Sequence, residues 1–162
     1  MSGINIQRYA FTSVNPTYNR EIVTLAEVSK PSKNNDLLQF TQYRALWDTG
    51  ATNSVVTPKI VKELNLIPIG VTKTTHAGGH SEVNVFQISI RLPNNIIIPN
   101  VLVSECADQA GRFDLIVGMD IISLGDFAIT GQGNQRMVSF CLPSMMMIDY
   151  VPIAAQFNSG IK

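Results

Sequence analysis

Asp48-Thr49-Gly50 is where residue types and spacing in this 162-residue chain could do chemistry. An apolar run ending in Leu46-Trp47 leads straight into it, and the small Ala51 follows. Asp and Gly are turn residues, so the tripeptide by itself is also an ordinary β-turn. At the end of an apolar strand it does more, because it holds a carboxylate at the edge of a core. An ionised acid there can take a proton from water, and a protonated one can give it back. Further along, a second apolar run, Leu115-Ile116-Val117, closes on Gly118. Other chemistries have weaker footing. His76 and His80 flank Ala77-Gly78-Gly79, where glycines disfavour a helix and no cysteine or carboxylate cluster joins them. Zinc wants three or four ligands, so no metal is expected. Cys106 and Cys141 form no metal or redox pattern and read as two free thiols, with a disulfide left open. Gly-x-Ser-x-Gly, His-Glu-x-x-His and a phosphate-binding glycine loop are all missing.

Taken together, these parts resemble the retropepsin family of aspartic proteases. The family pattern is two apolar residues, Asp, Thr or Ser, Gly, then Ala or Ser. A glycine-containing flap hairpin follows, and then an apolar run closed by glycine. Here these are Leu46 to Ala51, a hairpin over 75–86 with Ala77-Gly78-Gly79 at its tip, and Leu115 to Gly118. The resemblance spans residues 22–142. It is nearest to single-domain retropepsin-like proteins of bacteria, which share phrases such as Gly118-Met119-Asp120 and Gly125-Asp126-Phe127. It implies an aspartic endopeptidase without cofactor. Asp48, Thr49 and Gly50 would be catalytic, and Ala51, Thr75, His76, Ala77, Gly78, Gly79 and His80 would bind substrate. Leu46, Trp47, Val117, Gly118 and Asp120 would support the site, with Asp120 read as a helix cap and Trp47 as core packing in place of the usual aliphatic residue.

The implied chemistry explains the residue types. Two carboxylates sharing one proton cannot both ionise, so one activates water while the other protonates the substrate carbonyl. Thr49 would bond across the pair to the opposite loop, and Gly50 would let backbone approach the water. Ala51 lacks the hydroxyl that some relatives carry, which points to activity at milder acid pH. The remaining aspartates, Asp36, Asp108, Asp114, Asp120, Asp126 and Asp149, stand in no second Asp-Thr/Ser-Gly. One motif in one domain implies a homodimer, with Asp48 facing its own copy across a twofold axis. The substrate is then a peptide or protein in extended form, paired with the flap as an added strand. The alternative is a catalytically silent module that binds peptides or acts as a scaffold. A self-processing domain cut from a larger polyprotein is a third reading.

The elements that must position these residues read mostly as short strands. Residues 22–28 are β-branched, 37–47 alternate loosely, and 82–92 alternate polar and apolar almost without error. Pro93-Asn94-Asn95 is a turn signal before the apolar run at 96–103, so residues 82–103 predict a β-hairpin. Thr57-Pro58 predicts a capped helix start with Ile60, Val61 and Leu64 at helical spacing and a stop near Asn65. Residues 120–125 predict a second short helix, capped by Asp120 and closed by Gly125. Strands then resume at 127–130 and 137–140 around a turn at 131–134. An all-β closed barrel or folded sheet with one or two short helices follows. The organisation expected is an N-terminal strand or arm at 1–21, a protease-like domain at 22–142, and a C-terminal arm or tail at 143–162. Residues 45–50 and 114–119 echo each other faintly as strand–loop–helix units.

Composition narrows the partners. Lysine plus arginine equals aspartate plus glutamate at 12 each, so no net field favours nucleic acid or an anionic membrane. The apolar runs are too short to span a bilayer, and the first residues lack a signal-peptide core. A cytoplasmic protein without membrane or nucleic-acid partners is expected.

Overall fold

The computed structural model describes residues 7–15, 20–32, 38–76, 79–106 and 111–160, apart from the side chains of residues 15, 74–76, 79 and 80. Among the described residues, ten strands and three helices follow one another. They are β1 (Tyr9–Asn15), β2 (Ile22–Ser29), β3 (Thr41–Trp47), β4 (Val55–Val56), α1 (Pro58–Glu63), β5 (Gly70–His76), β6 (Gly79–Arg91), β7 (Ile97–Glu105), β8 (Leu115–Val117), α2 (Met119–Ile122), β9 (Asp126–Gln132), β10 (Gln135–Leu142) and α3 (Tyr150–Ser159).

Six strands close on themselves. The order β2-β3-β8-β4-β7-β6 returns to its start because β2 also pairs with β6, Glu27 opposite Arg91. Closure removes the free edges that an open sheet would present. An Arg91–Glu27 ion pair lies across the seam. Period-2 burial fills the barrel: β3 turns Tyr43, Ala45 and Trp47 inward, and β6 turns in Phe86, Ile88 and Ile90. The predicted hairpin at 82–103 is present as β6 and β7, with Asn95 at φ 62° in its turn. β6 outruns the barrel, and its first half pairs with β5 from Gly70↔Val85 to His76↔Gly79. A long two-stranded arm therefore projects from the barrel.

A separate sheet, β1-β10-β9, packs against the barrel through aromatic rings. Phe11, Phe127 and Phe140 surround Trp47, with the Phe127 ring stacked on it at 5.4 Å between centroids. The indole N–H donates to Thr24 Oγ1 at 2.9 Å, so the polar edge of this buried ring is satisfied. Trp47 is core packing, as expected.

The helix ends depart from expectation. Thr57 does precede α1, but its hydroxyl makes no cap bond and is buried without a partner. Pro58, with its fixed φ, starts the helix instead. Asp120 is not the cap of α2. Gly118 occupies that position, and Asp120 stands inside the first turn, where a negative charge suits the helix dipole. Gly125 does not close α2 either, since Ser123 does. Within the stretch after 143, Tyr150–Ser159 form a helix, α3, with no buried side chain. Asp149 caps it by accepting from Val151 N–H at 2.9 Å.

Candidate active site

The faint echo in the sequence becomes a structural core. β3 and β8 run parallel and adjacent, Leu46 opposite Ile116 and Trp47 opposite Val117. Each strand then releases a loop, and the two loops are stitched together. Asp48 N–H donates to Val117 O at 3.0 Å, Met119 N–H to Ala51 O at 2.8 Å, and Asp120 N–H to Thr52 O at 3.1 Å. The contact is close enough to exclude a side chain at Gly118. A Cβ there would sit 2.6 Å from Asn53 C and 2.9 Å from Ala51 O.

This stitching brings Leu46, Trp47, Asp48, Thr49, Gly50, Ala51, Val117, Gly118 and Asp120 into one region. Asp48 is half-buried at the end of β3, while Thr49 and Gly50 are exposed in the turn. Gly50 N–H donates to Asp48 Oδ1 at 2.8 Å, which aims the carboxylate back over its own turn. A Cβ on Gly50 would come 3.1 Å from that same oxygen.

Beside the turn lies a cleft of about 650 Å³. Its floor is Gly50, Ala51, Thr52 and Asn53, and its walls are Val55, Leu102 and Val103 of the barrel. Thr72 and Lys73 of β5, Val85 of β6 and Ser104 of β7 also line it. The projecting arm thus contributes to a trough of mixed polar and apolar lining that starts at the residue after Thr49. A second recess, of 380 Å³, opens on the other side of Asp48 and Thr49, against Phe127 and Ile129 of β9.

Of the predicted tip residues, Thr75 and His76 end β5 and Gly79 and His80 begin β6. Ala77 and Gly78 lie outside the described residues. Asp120 sits at the site in a role other than the expected cap: its carboxylate accepts from Ser54 Oγ at 2.8 Å and from Ile121 N–H at 3.0 Å. Sequence reasoning missed Ser54 and the cleft walls Val55, Leu102 and Val103. The polar run Thr52-Asn53-Ser54, placed between the motif and Val55-Val56, was the available signal. No cluster of three metal-ligating side chains occurs among the described residues. No helix among them is long and apolar enough to cross a membrane.

A family model described as aspartyl protease matches residues 33–121. Among solved structures the chain is similar to a retropepsin-like aspartic protease from Rickettsia conorii. That match has 14% identity and a TM-score of 0.52 over 84% of this chain and 96% of the other. It is also similar to the EIAV protease complexed with the inhibitor HBY-793, at 25% identity and TM-score 0.45 over 66% and 91%. The Simian Foamy Virus (mac) protease matches at 16% and 0.41 over 62% and 92%. No curated protein matches by sequence. The Rickettsia likeness is one of fold, and it agrees with the closed barrel and few short helices described above.

Proposed function

Because the chain belongs to the aspartyl protease family, we propose that it is an endopeptidase in which Asp48 supplies one carboxylate of a catalytic pair and Asp48 of a second copy supplies the other. The observation that carries this reading is the setting of Asp48. It follows a core strand, its backbone is tied to β8, its carboxylate is aimed by Gly50, and a trough lined in part by the β5–β6 arm begins beside it.

The trough suits an extended peptide with apolar side chains directed at Val55, Leu102 and Val103. The β5–β6 arm would act as the flap, offering backbone groups to the substrate as a neighbouring strand. Closing the flap would exclude bulk water from the reacting bond. Two Asp48 groups a few ångströms apart would share one proton, because two like charges at that range cannot both persist. The ionised acid then takes a proton from the attacking water, and the other gives its proton to the scissile carbonyl oxygen. No metal or covalent intermediate is needed.

Thr49 is exposed next to Asp48 and faces the recess by β9, where a second copy would approach. Its hydroxyl would hold the opposite loop. The test is Asp48→Asn assayed on a diverse peptide library between pH 4 and 7, with a statine-type inhibitor as control. Wild type should cleave and be inhibited. The variant should lose cleavage by at least about 1,000-fold while remaining folded and dimeric. Cleavage by the variant at the wild-type rate would remove Asp48 from the mechanism, and a folded monomer that turns over would remove the pair.

A further inference from the structure

We infer that Ser54 and Asp120 form a positioning relay that sets the place of Asp48 through a single peptide plane. This rests on the proposed role of Asp48. The plane is the peptide joining Val117 to Gly118. Its carbonyl, Val117 O, accepts the N–H of Asp48 at 3.0 Å. Its N–H, that of Gly118, donates to Ser54 Oγ at 3.1 Å. A peptide group is rigid and flat, so fixing one end orients the other.

The direction of the bonds is determined by counting hydrogens. Ser54 Oγ has one hydrogen, and while it accepts from Gly118 that hydrogen is free to go elsewhere. It goes to Asp120 Oδ1 at 2.8 Å. Asp120 is in turn held by the N–H of Ile121, at 3.0 Å from the same oxygen. The relay therefore runs from the first turn of α2 through a buried hydroxyl and a shared peptide to the backbone of Asp48. The middle of the relay is shielded, with Ser54 fully buried and Gly118 buried in its contact with Asn53, while Asp120 and Asp48 at its ends are half-buried. A hydroxyl buried at 0% exposure with both its donor and its acceptor capacity used is a specified joint, since either loss leaves a buried group unpaired.

The two ties make different demands on the residue types. Position 54 needs a group that donates and accepts at once, which a hydroxyl does and an alkyl group does not. Position 120 needs an oxygen acceptor at the second residue of the helix. Asp120 is thus a positioning residue acting through Ser54. It does not touch the substrate.

The experiment compares wild type with Ser54→Ala, Ser54→Thr and Asp120→Ala. Two readouts are used, peptide cleavage and amide hydrogen exchange by NMR. Ser54→Ala should lower kcat by about 100-fold, the size expected when a reacting group is displaced by about 1 Å, with KM changed less than threefold. Ser54→Thr restores the hydroxyl and should recover most of kcat. Asp120→Ala should behave like Ser54→Ala.

In exchange, the Asp48 N–H should lose protection in both alanine variants and regain it in Ser54→Thr. The end of the β6–β7 ladder away from β4, Ile90 opposite Ile98 and Arg91 opposite Ile97, should keep its protection. Unchanged exchange at Asp48 in a folded Ser54→Ala protein overturns the relay, whatever the cleavage data say. If wild type cleaves no peptide but Asp48 still loosens with Ser54, the relay stands and the protease reading falls. If wild type cleaves and Ser54→Ala keeps its kcat, the relay falls and the protease reading stands.

Discussion

At Gly118 a single hydrogen atom in place of a methyl decides whether the two loops of the site can meet. A Cβ there would stand 2.7 Å from Asn53 O, and the blocking atoms are backbone that cannot swing aside. Gly118→Ala should therefore destabilise the fold by about 3 kcal/mol, the upper range for overpacking, as read from urea denaturation. Ala51 makes the opposite case, a residue whose smallness affects chemistry more than stability. A serine there would place a hydroxyl near Asp48 and donate to its charged form. The acid limb of kcat/KM for Ala51→Ser should therefore move to lower pH. An unchanged or raised acid limb would show that position 51 does not reach the carboxylate. The Asp48 motif was legible in the sequence because its three residues are contiguous and each has a local reason. Ser54 was not, because its meaning lies in Gly118 and Asp120, more than sixty positions away.

Among the elements, alternation made the β6–β7 hairpin readable, since one face is buried and each residue declares its side. The short helices were harder. α2 has four residues, and its start is set by the bonds of Met119 and Asp120 to the Asp48 loop, not by a local cap. Thr57 fails as a cap for a similar reason, because packing buries its hydroxyl. The arm leading to α3 has its own anchor. Asp126, at the start of β9, accepts from Ser144 Oγ and from the N–H groups of Met145 and Met146. The Ser144 bond above all, and then the two amides, hold its carboxyl below the usual aspartate range, with Arg8 adding a smaller pull. A depressed pKa means the tie is complete above the ordinary aspartate value and is lost only as pH falls through the lower, folded one. The arm should thus stay attached over the mildly acidic range proposed for cleavage and detach in stronger acid. In Asp126→Ala it should detach at neutral pH. Exchange at the Met145 and Met146 amides is the measurement, and slow exchange in Asp126→Ala would show that the arm is held elsewhere.

For the molecule as a whole, the closed barrel and the exposed arm pull in different directions. Closure of β2 onto β6 gives the barrel a self-contained core, filled by Val28, Ala45, Phe86, Ile88, Leu115 and Val117 with almost no exposure. One copy can be stable by itself on that ground. α3 nevertheless leaves Tyr150, Val151, Ile153 and Phe157 more than half exposed, and Ile129 is as open beside the Asp48 recess. Apolar surface of that extent favours association, because burying it removes it from water. If the fold is complete in one copy while the carboxylate pair needs two, stability and activity must separate on dilution. On dilution the thermal midpoint should fall only by the linkage stabilisation of the dimer and then level off, with the monomer still folded, and specific activity should fall towards zero once the concentration drops below the dimer Kd. Adding excess Asp48→Asn protein to dilute wild type should suppress the remaining cleavage, since mixed pairs carry only one acid. Sedimentation across the same range fixes the dimer Kd independently. Specific activity that holds constant well below that value would mean one Asp48 suffices, and the shared-proton mechanism would have to be abandoned.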